Sequence, residues 1–137
     1  MQPFHVAVPV NNLNAARTFY KDVLGCQEGR SSADWVDFNL FGHQFVIHYK
    51  EGEKQNIHFS DVDNQAVPIP HYGVVLKMED WKAMANRLKD YGVDFIIQPY
   101  IRFKDEPGEQ ATMFFLDPCG NALEFKAFND IGQLFVK

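Results

Sequence analysis

The stretch Phe4-His-Val-Ala-Val-Pro-Val10, followed by Asn11-Asn-Leu-Asn-Ala-Ala-Arg-Thr-Phe-Tyr-Lys-Asp-Val-Leu-Gly25, decides the fold, because its pattern returns later in the chain. Residues 4–10 alternate in polarity as a strand does. Leu13, Ala16, Phe19, Tyr20, Val23 and Leu24 then recur at helical spacing, with Asn11 or Asn12 to cap the start and Gly25 to end the helix. The echo begins at His71-Tyr-Gly-Val-Val-Leu-Lys-Met78, a second strand pattern. Trp81, Met84, Ala85, Leu88 and Tyr91 form one apolar helical face behind Glu79 and Asp80, which favour a helix N-terminus, and Gly92 closes it. His5 precedes Gly25 by 20 residues and His71 precedes Gly92 by 21. An internal repeat of this kind predicts two units of one design.

Each repeat continues into strands. Residues 34–41 and 44–50, split by Gly42-His43, read as a hairpin. Residues 93–97 and roughly 100–104 read as strand interrupted near Pro99, with Lys104 to Gln110 as a turn. Residues 110–116 and 122–128 form a hairpin around Asp117-Pro-Cys-Gly-Asn121. The expected fold class is α+β, built from two β-α-β-β-β modules of similar length. Residues 1–137 are taken as a single domain, with module one at about 1–50, a linker at 51–70, module two at 71–128 and a tail at 129–137. The linker is polar, irregular and long enough for part of it to cover a site. Ile131, Leu134, Phe135 and Val136 in the tail are expected to dock on this chain or on a second subunit.

Composition narrows the function classes. With 46% apolar residues and 13 Phe, 5 Tyr and 2 Trp, the chain has ample material for a core and a greasy cavity. The net charge of −5 and the lack of a basic stripe argue against nucleic acid as a partner. No apolar run approaches the ~20 residues of a membrane span, and the start has no signal-peptide pattern, so the expected setting is soluble and cytoplasmic. Cys26 and Cys119 form no CxxC pair, which fits a reduced compartment; Cys119, in a turn, is expected to be an exposed thiol.

In the first strand Phe4, Val6, Val8 and Val10 point one way, and His5 and Ala7 the other. His71 and Gly73 oppose Tyr72, Val74 and Leu76, while Ala122, Glu124 and Lys126 oppose Leu123, Phe125 and Ala127. A lone strand His or Glu is ordinarily a structural or solvated residue. Here each polar residue faces away from the helix-packing side, with a small residue two positions away, and the placement is symmetrical in the two halves. A carboxylate set among apolar strands needs a partner, and a metal ion is an adequate one.

The paired modules, the His opening each first strand and the run Phe114-Phe-Leu-Asp-Pro-Cys-Gly-Asn-Ala-Leu-Glu124-Phe resemble the vicinal-oxygen-chelate superfamily of glyoxalases, fosfomycin-resistance proteins and extradiol dioxygenases. The resemblance spans residues 4 to 128 and is most specific in Asp-Pro-x-Gly-Asn-x-x-Glu. It implies that the two modules form a cupped mixed sheet around one divalent metal, iron(II) first, with manganese, nickel or zinc as alternatives, held by His5, His71 and Glu124. Glyoxalase I-like relatives carry a Glu in the last strand of module one, where this chain has Val46, Ile47 and His48. His48 shares parity with Val46 and is read as a fourth ligand, a proton shuttle or a plain strand residue. The missing carboxylate counts against a glyoxalase I-type isomerase and leaves an extradiol-type dioxygenase acting on a small vicinal-diol-like substrate as the first reading. A glyoxalase-like isomerase or fosfomycin-type thiol transferase is the alternative, and an antibiotic-binding protein the third. Arg102, flanked by Ile101 and Phe103, is the candidate substrate-binding residue, aimed at an anionic group. Arg30, His43, Tyr49 and Gln110 are further polar candidates, more simply read as exposed or turn residues, and His58 has no assigned partner. The expected partners are a small molecule and a second copy in a homodimer.

Overall fold

A computed structural model describes residues 1–137. They divide into two compact units, residues 1–58 with 117–121, and residues 59–116 with 122–137.

The first unit contains β1 (His5–Val10), α1 (Leu13–Thr18), β2 (Gln27–Ser31), β3 (Trp35–Leu40) and β4 (His43–Tyr49). The strand order is β1-β4-β3-β2, with β1 parallel to β4 and the other pairs antiparallel. The expected β-α-β-β-β order therefore holds here. Strand β2 was not legible, because Gln27-Glu-Gly-Arg-Ser31 has no apolar alternation and only Glu28 escapes full exposure. Asn12 is the residue that caps α1: its Oδ1 accepts from the Ala15 N–H at 3.0 Å. The helix then widens into a π-turn over Phe19–Val23 and ends at Gly25, whose φ of 73° suits glycine. Val8, Val10, Ala16, Phe19, Tyr20, Val36, Phe38 and Ile47 are buried in this unit. The Tyr20 ring lies 5.0 Å from Phe45 and 5.6 Å from Phe38, so the helix is seated mainly by aromatic packing.

The turn Asp117–Asn121 belongs to this unit, and a buried carboxylate organises it. Asp117 Oδ1 accepts from the N–H groups of Cys119 and Asn121, and Oδ2 accepts from the Tyr20 hydroxyl and Asn121 Nδ2. Asn121 Nδ2 also donates to the Pro9 carbonyl at 2.9 Å. Four donors make burial of this charge tolerable. The Cys119 side chain is buried with the turn at 1% exposure, contrary to the exposed thiol expected from a turn position, and that burial pushes its pKa up. A raised pKa makes it a poor nucleophile.

The second unit starts with a hairpin, β5 (His58–Val62) and β6 (Gln65–Ile69), where the sequence reading had irregular linker. Asp63 and Asn64 at its tip have φ of 50° and 64°, the left-handed pair of a tight hairpin turn. Short polar strands with exposed side chains carry no periodicity to read, which is why the hairpin was missed. Val67 supplies its anchor, packing with Ile97 and Phe114. Next come β7 (His71–Tyr72), β8 (Val75–Leu76), α2 (Met78–Asp90), β9 (Phe95–Arg102), β10 (Gln110–Leu116) and β11 (Ala122–Phe128). The sheet order is β7-β11-β10-β9, with β8 continuing beside β11. Each unit thus carries a mixed sheet, parallel at β1–β4 and where β7 and β8 meet β11 and antiparallel elsewhere, in keeping with the α+β class expected.

The single strand expected at 71–78 is broken at Gly73-Val74 and gives way to α2 at Met78. Trp81, Met84, Ala85 and Leu88 are the buried face of α2, as their spacing predicts, and Trp81 Nε1 donates to the Phe125 carbonyl at 2.9 Å. Strand β9 runs unbroken through Pro99, but its register against β10 slips between Tyr100 and Ile97. Pro99 has no N–H to offer the ladder, so a bulge there is the natural accommodation. No helix is long and apolar enough to cross a membrane.

Candidate functional site

The second unit encloses a cavity of about 440 Å³ over the face of β9, β10 and β11. Gln110, Thr112 and Phe114 alternate along β10 on that face. Ladder pairing places Glu124 opposite Phe114, Lys126 opposite Thr112, and Arg102 opposite Gln110. The bulge adds one residue to β9 between Ile97 and Tyr100, so both of these line the cavity although they are three apart in sequence. His71 enters from β7, beside Ala122.

At one end His71 Nε2 and Glu124 Oε2 stand 3.0 Å apart, both side chains mostly shielded. Their remaining polar atoms are committed elsewhere. His71 Nδ1–H donates to the Pro68 carbonyl at 2.7 Å, and Thr112 Oγ1 donates to Glu124 Oε1 at 2.7 Å. The His71 ring also stands edge-on to Phe114, centroids 5.1 Å apart. The Glu124 carboxylate raises the pKa of His71 above its ordinary value, against the opposing effect of burial. Nε2 thus faces an anion with nothing between, a place for a proton or for a metal cation.

The pair fits a divalent metal on three counts. A bond from Nδ1–H to a carbonyl fixes the tautomer that leaves the Nε2 lone pair outward, the usual outer-shell arrangement of a ligating imidazole. Thr112 steadies the carboxylate in the same way. Finally, Nε2 and Oε2 are 3.0 Å apart, near enough that one ion would be held by both.

Of the three residues assigned to the metal, His71 and Glu124 meet in the second unit, and His5 lies in the first. His5 is nonetheless set up like His71. Gln44 Nε2 donates to Asp37 Oδ2 at 3.1 Å, which orients the amide so that its Oε1, 2.7 Å from His5 Nδ1, is the acceptor. His5 therefore also holds its proton on Nδ1 and presents Nε2.

Register compares the two modules directly. His5 pairs with Gln44 on β4, and His71 pairs with Ala122 on β11. Glu124 is two residues beyond Ala122, so its counterpart two beyond Gln44 is Val46. Parity alone left Val46 and His48 equivalent, but register makes His48 the counterpart of Lys126. His48 is exposed, opposite Pro9 and Trp35, its ring 6.5 Å from the indole.

Arg102 lines the far end of the cavity with Gln110, and its Nη1 donates to Asp63 Oδ2 at 2.8 Å. Arg30 lies over the Trp35 ring and His43 Nδ1 accepts from the Phe4 N–H, both in the first unit. Tyr49 is exposed, and His58 opens β5. Gln44, Asp37, Thr112 and the Pro68 carbonyl were not foreseen, since a hydrogen-bond partner beside a ligand has no sequence signature. Lys126 had one, its position two residues after Glu124 on the same face.

A family model matches residues 2–125: the Glyoxalase/Bleomycin resistance protein/Dioxygenase superfamily. The chain belongs to this superfamily. A search of curated proteins finds no significant match. Among solved structures, a glyoxalase/bleomycin resistance protein/dioxygenase from Alicyclobacillus acidocaldarius is similar at 27% identity and TM-score 0.79, over 98% of this chain and 96% of that one. A lactoylglutathione lyase from Agrobacterium tumefaciens is 18% identical at TM-score 0.66, with 99% and 97% covered. The fosfomycin resistance protein FosX from Listeria monocytogenes is 18% identical at TM-score 0.67, with 97% of each chain covered. The last two likenesses show the superfamily's mixed α+β fold. Its members include enzymes and small-molecule-binding proteins of more than one chemistry, which this chain's own side chains must separate.

Proposed function

We propose that this protein is a metal-dependent enzyme resembling extradiol-type dioxygenases and acting on a small chelating, vicinal-diol-like substrate. The observation that carries the reading is the His71–Glu124 pair, with Nε2 and Oε2 3.0 Å apart and every other polar atom of the two side chains held by Pro68 or Thr112. His5, its tautomer fixed by Gln44, is the third ligand. Val46 at the position equivalent to Glu124 leaves the set at two imidazoles and one carboxylate, which suits iron(II) first, with manganese, nickel or zinc as alternatives.

A divalent metal bound there supplies Lewis acidity and a template for two adjacent substrate oxygens. The chain's own contribution is positioning. Phe114, Ile97 and Val67 wall the cavity with apolar surface that accepts a flat ligand and keeps water out. Thr112 holds Glu124 in place, and Arg102 is the substrate-binding residue, directed at an anionic group. His48 is proposed as a proton shuttle, exposed and beside Trp35 on the same strand face as Val46. The working form is a homodimer in the cytoplasm.

The test combines elemental analysis of protein purified without air with oxygen uptake over a panel of catechols. The same iron, manganese and nickel forms are assayed for glutathione-dependent turnover of methylglyoxal hemithioacetal and of fosfomycin. Oxygen uptake with a diol is the expected result. Efficient thiol-dependent turnover without it replaces this reading with the isomerase or transferase alternative.

A further inference from the structure

Besides the His71–Glu124 pair, the cavity holds two cations, Arg102, already directed at an anionic group, and Lys126, which has no role so far. Lys126 and Arg102 both line it, and Gln110 adds an amide beside Arg102. Lys126 stands between the two ends: its Nζ lies 5.6 Å from the ring centroid of Phe128, the partner of Gln110, and the residue also borders His71 and Glu124. Arg102 is paired with Asp63 at 2.8 Å. Asp63 comes from the tip of the β5–β6 hairpin, its side chain is 59% exposed, and every residue of β5 is exposed. An ion pair so open to water contributes little and is easily exchanged.

We infer that the Arg102–Lys126 end of the cavity is a carboxylate subsite in which Asp63 stands in for the acid group of an elongated ligand. The inference rests on the reading of this cavity as the substrate site and names the substrate class: a flat apolar body with a chelating edge at one end and a carboxylate at the other. Glu124 pairs with Phe114 and Arg102 with Gln110, so the two ends lie four residues apart on β10, about 13 Å at ~3.3 Å per residue. Contacts of about 2–3 Å at each end leave roughly 7–9 Å for the ligand itself. An aromatic diol with a two- or three-carbon acid chain has that reach. Between the ends, Tyr100, Ile97 and Phe114 offer the apolar wall that such a body needs. Arrival of the ligand's carboxylate exchanges one anion for another on Arg102, so no buried charge is left unpaired and the hairpin tip is released.

The test uses 3-phenylpropionate and its amide, probes without a diol, titrated calorimetrically into the 137-residue chain. The acid is expected to bind about 10-fold or more tighter than the amide. Arg102→Gln and Lys126→Gln each remove most of that preference, Arg102→Lys keeps part of it, and Asp63→Asn increases acid affinity several-fold by vacating the guanidinium. Circular dichroism of each variant reports whether it is folded, and Arg102→Lys carries the comparison if Arg102→Gln is not. Equal binding of acid and amide, no binding of either, or an acid preference that survives both Gln variants overturns the subsite. Unchanged or weaker acid binding in Asp63→Asn overturns the role of Asp63. Because a carboxylate can itself ligate a metal, the titrations are made with EDTA present; an acid preference found there, alongside no oxygen uptake with any diol by the metal-loaded protein, sinks the dioxygenase reading while the subsite stands.

Discussion

Gly73 runs so close to the backbone of Glu124 that a Cβ built on it would overlap the Glu124 carbonyl oxygen. The two residues sit in the gap of the ladder between β7 and β8, where β11 is paired on either side but not at this point. Glycine here is a spacing requirement for the strand that carries Glu124.

Gly73→Ala is therefore expected to push β11 away from β7 and spoil the His71–Glu124 spacing. Destabilisation of about 2–3 kcal/mol is expected from such a backbone clash, together with loss of bound metal. Thermal unfolding and metal content measured on the same preparation check both. A variant with normal Tm and normal metal content would show that the strand gives way without cost.

Glu124→Ala should abolish most metal binding, and Glu124→Gln should retain a fraction, because an amide oxygen still donates but without charge. His71→Ala should resemble Glu124→Ala. Thr112→Val, which removes the hydroxyl from Glu124 Oε1, is expected to weaken metal affinity about 10-fold, the usual effect of an outer-shell partner. Equilibrium dialysis against a competing chelator gives all four values. Full metal content in Glu124→Ala would remove this carboxylate from the ligand set.

Tyr20 supplies the pH prediction. Burial first, and then the neighbouring Asp117 charge, raise its phenol pKa well above the ordinary value. A raised folded-state pKa means the folded chain keeps a proton that the unfolded chain releases at about pH 10. Its stabilisation is whole below that pH and declines as pH rises through and above it. Spectrophotometric titration should show one of the five tyrosines ionising only as the protein unfolds. Tyr20→Phe should abolish this lag and cost about 2 kcal/mol at neutral pH, by taking a donor from the buried carboxylate. A phenol that titrates normally with the fold intact would contradict the burial of this site.

A homodimer is expected in solution. Ile131, Phe135 and Val136 in the tail are 62%, 89% and 63% exposed on the isolated chain, so the docking expected for them within the chain is not made. Light scattering at micromolar concentration should give roughly twice the 15.8 kDa chain mass. A value near 15.8 kDa removes the claim.

Much of this was legible in the sequence because burial imposes a period. The helix faces at Ala16, Phe19 and Tyr20, and at Trp81, Met84 and Leu88, pack as their spacing indicates. Strands β10 and β11 begin and end where alternation placed them. What escaped were the elements without a buried face: β2, and the β5–β6 hairpin, which brings Asp63 to Arg102. At the site, parity showed which residues share a face with Val46 but not which one matches Glu124. That needed the pairing of His5 with Gln44, a relation between distant strands. Cys119 misled because a turn is normally at the surface, and this one is drawn inward by Asp117.

The Asp117 turn also bears on how such chains diverge. Asp-Pro-x-Gly-Asn is the most diagnostic segment of the sequence, yet the hydrogen bonds of its Asp and Asn side chains go to Tyr20, to Pro9 and to the turn itself. Its job is mechanical: it fastens the turn that leads into β11. A chain that keeps these residues keeps a foldable frame whatever occupies positions 5, 71 and 124. Ligands can therefore be exchanged, or lost, on an unchanged scaffold, and a match to this segment certifies the scaffold while the chemistry has to be read from the three positions proposed as ligands.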